Sequence, residues 1–306
     1  MGILNLTNDG LPSVLVVLVR ALRAFGPMER DRLQALVAPP ALEQVSSTFK
    51  NAEQLRQTLN RWTQIGLFIE DEGVVRLAEG YAFGPTQGYP GLRALGTQLR
   101  RLVLAQENNA DLGQAEPSQA ADFTHALCWM LAQDIYAFTE GNYASTIQTR
   151  ENEQFPELPW AFQNSTRWRG FREWAPLMGF AWVTNVPTQG TLMMDPTPAV
   201  EDCLSEAFHG RRELAQAAFF AALARLLPVL DEGAYRQAVE ARLREGSWRA
   251  LGEHEVSPSL SRALLRLEAT GRLRLEERSD ADHRSLLGQG FRPIRRVSHV
   301  LLNEAA

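Results

Sequence analysis

Between Ser257 and His299 the chain carries nine arginines: Arg262, Arg266, Arg272, Arg274, Arg278, Arg284, Arg292, Arg295 and Arg296. They stand against five acids: Glu268, Glu276, Glu277, Asp280 and Asp282. Nine less five leaves a segment of about +4 inside a chain of net charge −5. Guanidinium groups hold phosphate through two parallel hydrogen bonds, and phosphate contacts supply most non-specific affinity for duplex DNA. The spacing around these arginines reads as a basic helix followed by a basic hairpin. Ser257-Pro258 places a helix cap before a proline at the first helical position. Leu260, Leu264 and Leu267 follow at helical spacing, and Gly271 stops the helix. Leu273-Arg274-Leu275-Glu276 and the stretch from Arg296 to Leu301 read as strands, with a long polar tip between them. On this reading the DNA-contacting residues are Arg262, Arg266, Arg274, Arg295 and Arg296.

A second arginine group lies among aromatics. Four of the seven tryptophans, Trp160, Trp168, Trp174 and Trp182, fall within 23 residues, together with Phe171 and Phe180 and interleaved with Arg167, Arg169 and Arg172. Arginine beside tryptophan suits a base-stacking or phosphate-holding surface. It equally suits the core of a small domain with arginines on its wet face, and packing is the weightier reading. Arg167 and Arg169 are nevertheless retained as DNA-contact candidates.

Other chemistries find no footing. The five histidines form no His-x-x-x-His or His-Glu-x-x-His spacing, and His254 in Glu253-His254-Glu255 reads as a solvated turn. Asp280, Asp282 and His283 would be needed for metal-assisted hydrolysis, but they read as a hairpin tip. No Glu-x-Lys or Asp-x-Lys pair, Gly-x-Ser-x-Gly elbow or dinucleotide-binding glycine pattern occurs. Lys50 is the sole lysine and has no glycine before it, so a phosphate-binding Gly-Lys-Ser/Thr loop is absent and Schiff-base chemistry would rest on this one residue. Cys128 and Cys203 lie 75 positions apart with no partner at ligand spacing, as expected of reduced thiols. The expectation is a protein with no catalytic residue, metal or cofactor, acting by binding.

The elements that would position these groups recur along the chain. Leu11 to Phe25, Met28 to Val37 and Asn51 to Ile65 read as helices, the third with Leu55, Leu59, Trp62 and Ile65 on one stripe. Gly66 breaks it, and Leu67–Glu70 and Val74–Leu77 follow as strands around Asp71-Glu72-Gly73. Helix, helix, helix, hairpin is the winged-helix order. A helix from Trp168 to Met178 runs through Gly179 into another hairpin, closed by Pro187–Gly190. Pro176 calls there for a kink or an earlier end. Ser257 to Leu301 repeats the pattern around Gly271. The fold class is therefore mainly α with small β-hairpins (α+β), as tandem winged-helix domains joined by helical segments.

The expected divisions are a winged helix over 1–85, a linker and spacer helix over 86–118, a middle winged-helix-like unit over 119–200, a helical connector over 201–235 and a C-terminal winged helix over 236–306. The spacer helix would span Leu92–Gln106, with a polar loop from Glu107 to Ser118. The apolar segment from Ala199 to Leu230 reads as a packing helix, with homodimerisation as its functional alternative. The run from Val14 to Val19 is too short for a membrane span and lacks a basic leader, so a cytoplasmic protein without membrane contact is expected.

The opening Ile3-Leu4-Asn5-Leu6-Thr7-Asn8-Asp9-Gly10-Leu11-Pro12-Ser13, followed by the apolar helix and Gly26-Pro27, resembles the start of DpdG proteins. Those belong to bacterial systems that place 7-deazapurines in DNA and restrict foreign DNA. The resemblance implies an accessory role in a defence system and carries no active-site residue with it. Two functions follow. One is a DNA-binding accessory protein that holds double-stranded DNA through the C-terminal winged helix. The other is a scaffold that docks other proteins of the system, favoured by the acidic balance and by Glu70, Asp71 and Glu72 on the first hairpin. A metal-dependent nuclease resting on Asp280 and Asp282 is the third and least supported.

Overall fold

The computed structural model describes residues 2–4, 12–39, 51–81, 88–114, 119–137, 143–157, 160–184 and 191–303. Lys50, most of the opening segment that carries the resemblance and the turn over 187–190 lie outside the described residues. Within them the chain is mixed α+β, helices carrying small sheets.

The first group opens with α1 (Pro12–Phe25), which buries Leu15, Leu18, Val19 and Leu22 on one face. The helix expected from Met28 starts two residues later. Met28 and Glu29 form a short strand, β1 (Met28–Glu29), pairing with Val75 and Val74, and α2 (Arg30–Val37) follows. The stripe of α3 (Asn51–Ile65) is buried as expected. Strands β2 (Phe68–Asp71) and β3 (Val74–Leu77) turn at Glu72 and Gly73, both left-handed with φ 46° and 81°. Two successive left-handed residues give a hairpin the twist its strands need. The sheet order is β1-β3-β2.

The expected spacer is α4 (Gly88–Val103), and it buries Leu95, Leu99, Leu102 and Val103. The polar stretch after it begins as a 3-10 turn, Gln106–Asn109. There the buried Asn108 amide donates to the carbonyls of Ile65 (3.0 Å) and Leu102 (2.9 Å), clamping the ends of α3 and α4 together. Every residue of α5 (Ala121–Ala132) is buried, so this helix forms the centre of the molecule. Next come α6 (Gln148–Gln154), α7 (Ser165–Leu177), and the paired strands β4 (Ala181–Thr184) and β5 (Thr191–Met194). Pro176 sits in the last turn of α7, where the helix ends one residue later.

The 201–235 stretch does more than connect. The long apolar run breaks at His209 and Gly210, left-handed with φ 48° and 77°, into α8 (Thr197–Phe208) and α9 (Gln216–Leu226). Between these helices β6 (Glu213–Ala215) pairs with residues 299–301. Leu204, Phe208, Leu214, Phe219 and Leu223 are buried within the chain itself. Then follow α10 (Ala234–Glu240), β7 (Glu255–Val256), α11 (Pro258–Ala269) and β8 (Leu273–Glu276). The polar tip contains a further hairpin, β9 (Arg284–Leu287) with β10 (Pro293–Val297), before β11 (His299–Leu302) closes the unit. The expected strand from Arg296 to Leu301 is thus two strands divided at Ser298. The closing sheet has the order β6-β11-β8, the pattern of the first sheet, and β10-β9-β7 forms beside it.

The recurrence around three glycines is atomic. After α3, Leu67 N–H donates to Trp62 O (2.8 Å) and Gly66 N–H to Thr63 O (3.1 Å). After α7, Phe180 donates to Ala175 (2.9 Å) and Gly179 to Pro176 (3.1 Å). After α11, Arg272 donates to Leu267 (2.8 Å) and Gly271 to Glu268 (2.9 Å). Each is the paired 6→1 and 5→2 closure that left-handed glycine permits at a helix end. In each case the carbonyl of the residue after the glycine then accepts from the residue just beyond the second strand: Ala78 (2.9 Å), Asp195 (2.8 Å) and Asn303 (3.2 Å). Helix, glycine and hairpin are therefore one motif used three times. The buried side chains of all three groups form one connected core. Among the described residues no helix is long and apolar enough to cross a membrane.

Candidate nucleic-acid interface

The basic helix expected to meet DNA is α11. Its start is built as the sequence foretells: Ser257 Oγ accepts from Leu260 N–H (3.3 Å), with Pro258 in the first turn. That start is buried. Asp231 accepts from the backbone N–H and hydroxyl of Ser257 (2.7 and 2.6 Å). Ser259 Oγ donates to Leu131 O of α5 (2.8 Å), and Ser261 Oγ accepts from Leu287 N–H (2.9 Å). Pro258 through Ser261 are all buried, so the helix does not present its first turn as a groove-entering helix must.

The arginines of α11 face a carboxylate from before α8. Asp195 is fully buried, and its Oδ2 accepts from Arg262 Nε (3.1 Å) and Arg266 NH1 (2.7 Å). Its Oδ1 accepts from the Thr197 backbone N–H (3.0 Å) and from the Thr197 hydroxyl. Arg262 also lies 5.9 Å from the Tyr136 ring centre, and Arg266 5.7 Å from that of Trp182. Of the remaining arginines of the segment, all but the exposed Arg292 have acidic partners among the described residues. Arg295 binds Glu268 (2.6 Å) and the Leu275 carbonyl. Arg274 binds Glu276 (2.5 Å), Arg278 binds Glu213 (2.8 Å) and Glu276 (2.9 Å), Arg272 binds Glu201 (2.9 Å), and Arg284 binds Glu232. Arg296 lies 3.9 Å from Glu277. The surplus of four charges counted along the sequence is thus largely neutralised in space, because Asp195, Glu201, Glu213 and Glu232 come from outside the counted segment.

The aromatic group divides. Trp168, Phe171, Trp174 and Phe180 are buried, and Trp62 meets Trp174 with ring centres 5.2 Å apart. Trp182 stands out at 42% exposure. Arg167 is half-buried on α7, and its charge acts on the buried carboxyls of Asp122 and Glu151. Arg169 is exposed. Arg167 and Arg169 therefore serve different surroundings despite their spacing.

Several buried charges escape a reading of periodicity. Asp122 accepts from the N–H groups of Leu4 and Phe123 (both 2.7 Å), tying the described start of the chain to α5, and burial pushes its pKa up to about 6. Glu151 accepts from Tyr143 OH (2.8 Å) and from the backbone N–H groups of Phe162 and Gln163, and burial raises its pKa as well. Arg236 is 1% exposed and binds Asp231 (3.0 Å), Glu240 (2.6 Å) and Leu131 O (3.1 Å). Arg100 binds Asp202 (2.9 Å) and Met178 O (2.8 Å). Of these residues and Asp195, only Asp195 had a local signal: Asp-Pro-Thr-Pro at a strand end is a helix-start pattern. Burial also pushes the His125 pKa down to about 3, which keeps that ring neutral. Among the described residues no group of three His, Cys, Asp or Glu side chains is placed to hold a metal ion, and Asp280 and Asp282 lie in the turn between β8 and β9.

Compared with known proteins, residues 1–281 match the model of one family, described as DpdG-like. No curated protein and no solved structure matches the chain.

Proposed function

The chain belongs to the DpdG-like family, a component of Dpd 7-deazapurine systems, and on that footing we propose that it is a non-catalytic adaptor that docks other proteins of its system. Its units are read as tandem winged helices: residues 12–81, 119–194 and 197–303. The shared strand orders β1-β3-β2 and β6-β11-β8 and the thrice-used helix closure support that reading. The observation that carries the adaptor function is the engagement of Arg262 and Arg266 by buried Asp195. A helix whose basic side chains are already held by a carboxylate, and whose first turn is enclosed, has little to offer a phosphate backbone. The first unit does leave its third helix open, with Arg56, Asn60 and Gln64 exposed, but Glu70, Asp71 and Glu72 lie in the adjoining hairpin. Phosphate is repelled there, whereas a basic protein surface is attracted.

The test is co-expression with the other proteins of the system, followed by size-exclusion chromatography. A stoichiometric complex that survives nuclease treatment is expected. A chain that elutes alone in every combination rejects the adaptor function.

A second reading, direct DNA contact, rests on Arg274 and Arg296, whose side chains are 60% and 59% exposed on the last unit. Surface ion pairs are worth roughly 0–1 kcal/mol and are screened by salt, so phosphate can compete for both arginines. This contact would be non-specific and would come from the hairpin rather than the helix. Arg169 would add to it.

A further inference from the structure

A cleft of about 720 Å³ opens between α4 on one side and α8, α9 and α10 on the other. Nothing in the adaptor reading uses it. Its size falls within the few hundred to about 1,000 Å³ usual for small-ligand sites. Its interior is partly apolar, from Leu104, Leu227 and Pro228, with the half-buried ring of Tyr235 beside them. The Tyr235 hydroxyl donates to Leu104 O (3.1 Å), which fixes that ring across the gap between α10 and α4. The rim carries three arginines, Arg100, Arg101 and Arg225, against two acids, Asp202 and Glu206. Arg225 at the end of α9 is exposed and has no carboxylate partner among the described residues. Arg101 on α4 is 60% exposed, and its partner Glu206 lies at 3.7 Å. The third arginine, Arg100, is already committed to Asp202 and Met178 O.

An apolar floor with an aromatic wall suits a planar, uncharged body. Two arginines at the rim suit an anionic group attached to it, since guanidinium grips phosphate with paired donors. We propose that this cleft binds a mononucleotide-type ligand, with its heterocycle against Tyr235 and its phosphate between Arg101 and Arg225. Inorganic phosphate alone fills too little of the volume, and a nucleoside lacks the anchor.

The test is calorimetric titration of the full chain with ATP, GTP, adenosine and inorganic phosphate. At least one nucleotide should bind, and at least tenfold more tightly than adenosine or phosphate. Arg225→Ala and Arg101→Ala, both at exposed positions, should each weaken that binding about tenfold, and Ala234→Trp, which fills the cleft from the start of α10, should abolish it. Arg244→Ala, an exposed arginine outside the cleft, should change nothing. Thermal melting of each variant checks that it is folded. The proposal is overturned by absence of nucleotide binding, by phosphate binding as tightly as nucleotide, or by nucleotide binding that survives all three cleft variants.

Discussion

Asp122 shows how a single buried carboxyl is held at a cost. Two backbone N–H groups and the charges of Arg167 and Arg61 favour its ionised form, yet burial outweighs them and raises its pKa from 3.8 to about 6. A carboxyl whose folded pKa is raised binds its proton more tightly in the native state. Its contribution is therefore most favourable below about pH 4 and is lost as pH rises through 6. About two units correspond to roughly 3 kcal/mol. Asp122→Asn removes this dependence while keeping an acceptor for Leu4 or Phe123. Measured by urea unfolding at a series of pH values, the variant should gain about 3 kcal/mol on the parent between pH 4 and pH 7, and a constant difference would contradict the assignment. Arg236 presents the opposite case, a buried cation with two acidic partners. Asp231→Ala leaves that charge with Glu240 alone and frees Ser257 at the start of α11, and loss of one partner of a buried pair costs on the order of 3–5 kcal/mol. Chemical denaturation should report a fall of that size, and a change below about 1 kcal/mol would refute it.

Among the elements, two of the glycine closures and one glycine at a helix crossing allow a graded comparison. Gly271 is left-handed with open space where a Cβ would stand, so Gly271→Ala meets only the backbone penalty, on the order of 1 kcal/mol. Gly179 is also left-handed, and its Cβ would stand 3.1 Å from Ala199 N and 3.2 Å from Pro198 Cβ. Gly179→Ala should therefore cost more than Gly271→Ala. Gly96 exceeds both, because a Cβ there would lie 2.0 Å from Leu177 O where α4 crosses the end of α7. Denaturation midpoints should fall in that order, and an inverted order would contradict the packing described. These stops were legible in the sequence because glycine after an apolar stripe has one local meaning. The stripe of α3 and the Ser257-Pro258 start were legible for the same reason. β1 was not, since two residues carry no alternation and Met28–Glu29 become a strand only because Val74 and Val75 lie beside them. β6 was hidden in the same way within an apolar run that reads as helix throughout. The DNA-contact arginines stand out by charge along the chain, and Arg274, Arg295 and Arg296 pair with acids of the same segment, whereas Asp195, the partner of Arg262 and Arg266, arrives by folding. No local pattern pairs residues 67 or 71 positions apart, as Asp195 is with Arg262 and Arg266.

At the scale of the whole molecule, Asp195 sits where the second hairpin ends and the last unit begins, and its two arginines lie beside Tyr136 and Trp182 of the middle unit. Asp195→Ala should loosen that junction. Hydrogen exchange should quicken in α11 and in β4–β5 together while the first unit is unchanged, and exchange confined to residue 195 and its neighbours would deny the junction role. The adaptor account treats this carboxylate as the reason the last unit does not grip DNA through its third helix. Fluorescence anisotropy with a labelled duplex, at low and moderate salt, is the most direct measurement, comparing the parent chain with the Arg262→Ala/Arg266→Ala double variant. The account predicts weak, salt-sensitive binding that the double variant leaves unchanged. Tight binding by the parent that the double variant loses, with a shallower salt dependence, would contradict it and restore α11 as a DNA-contacting helix.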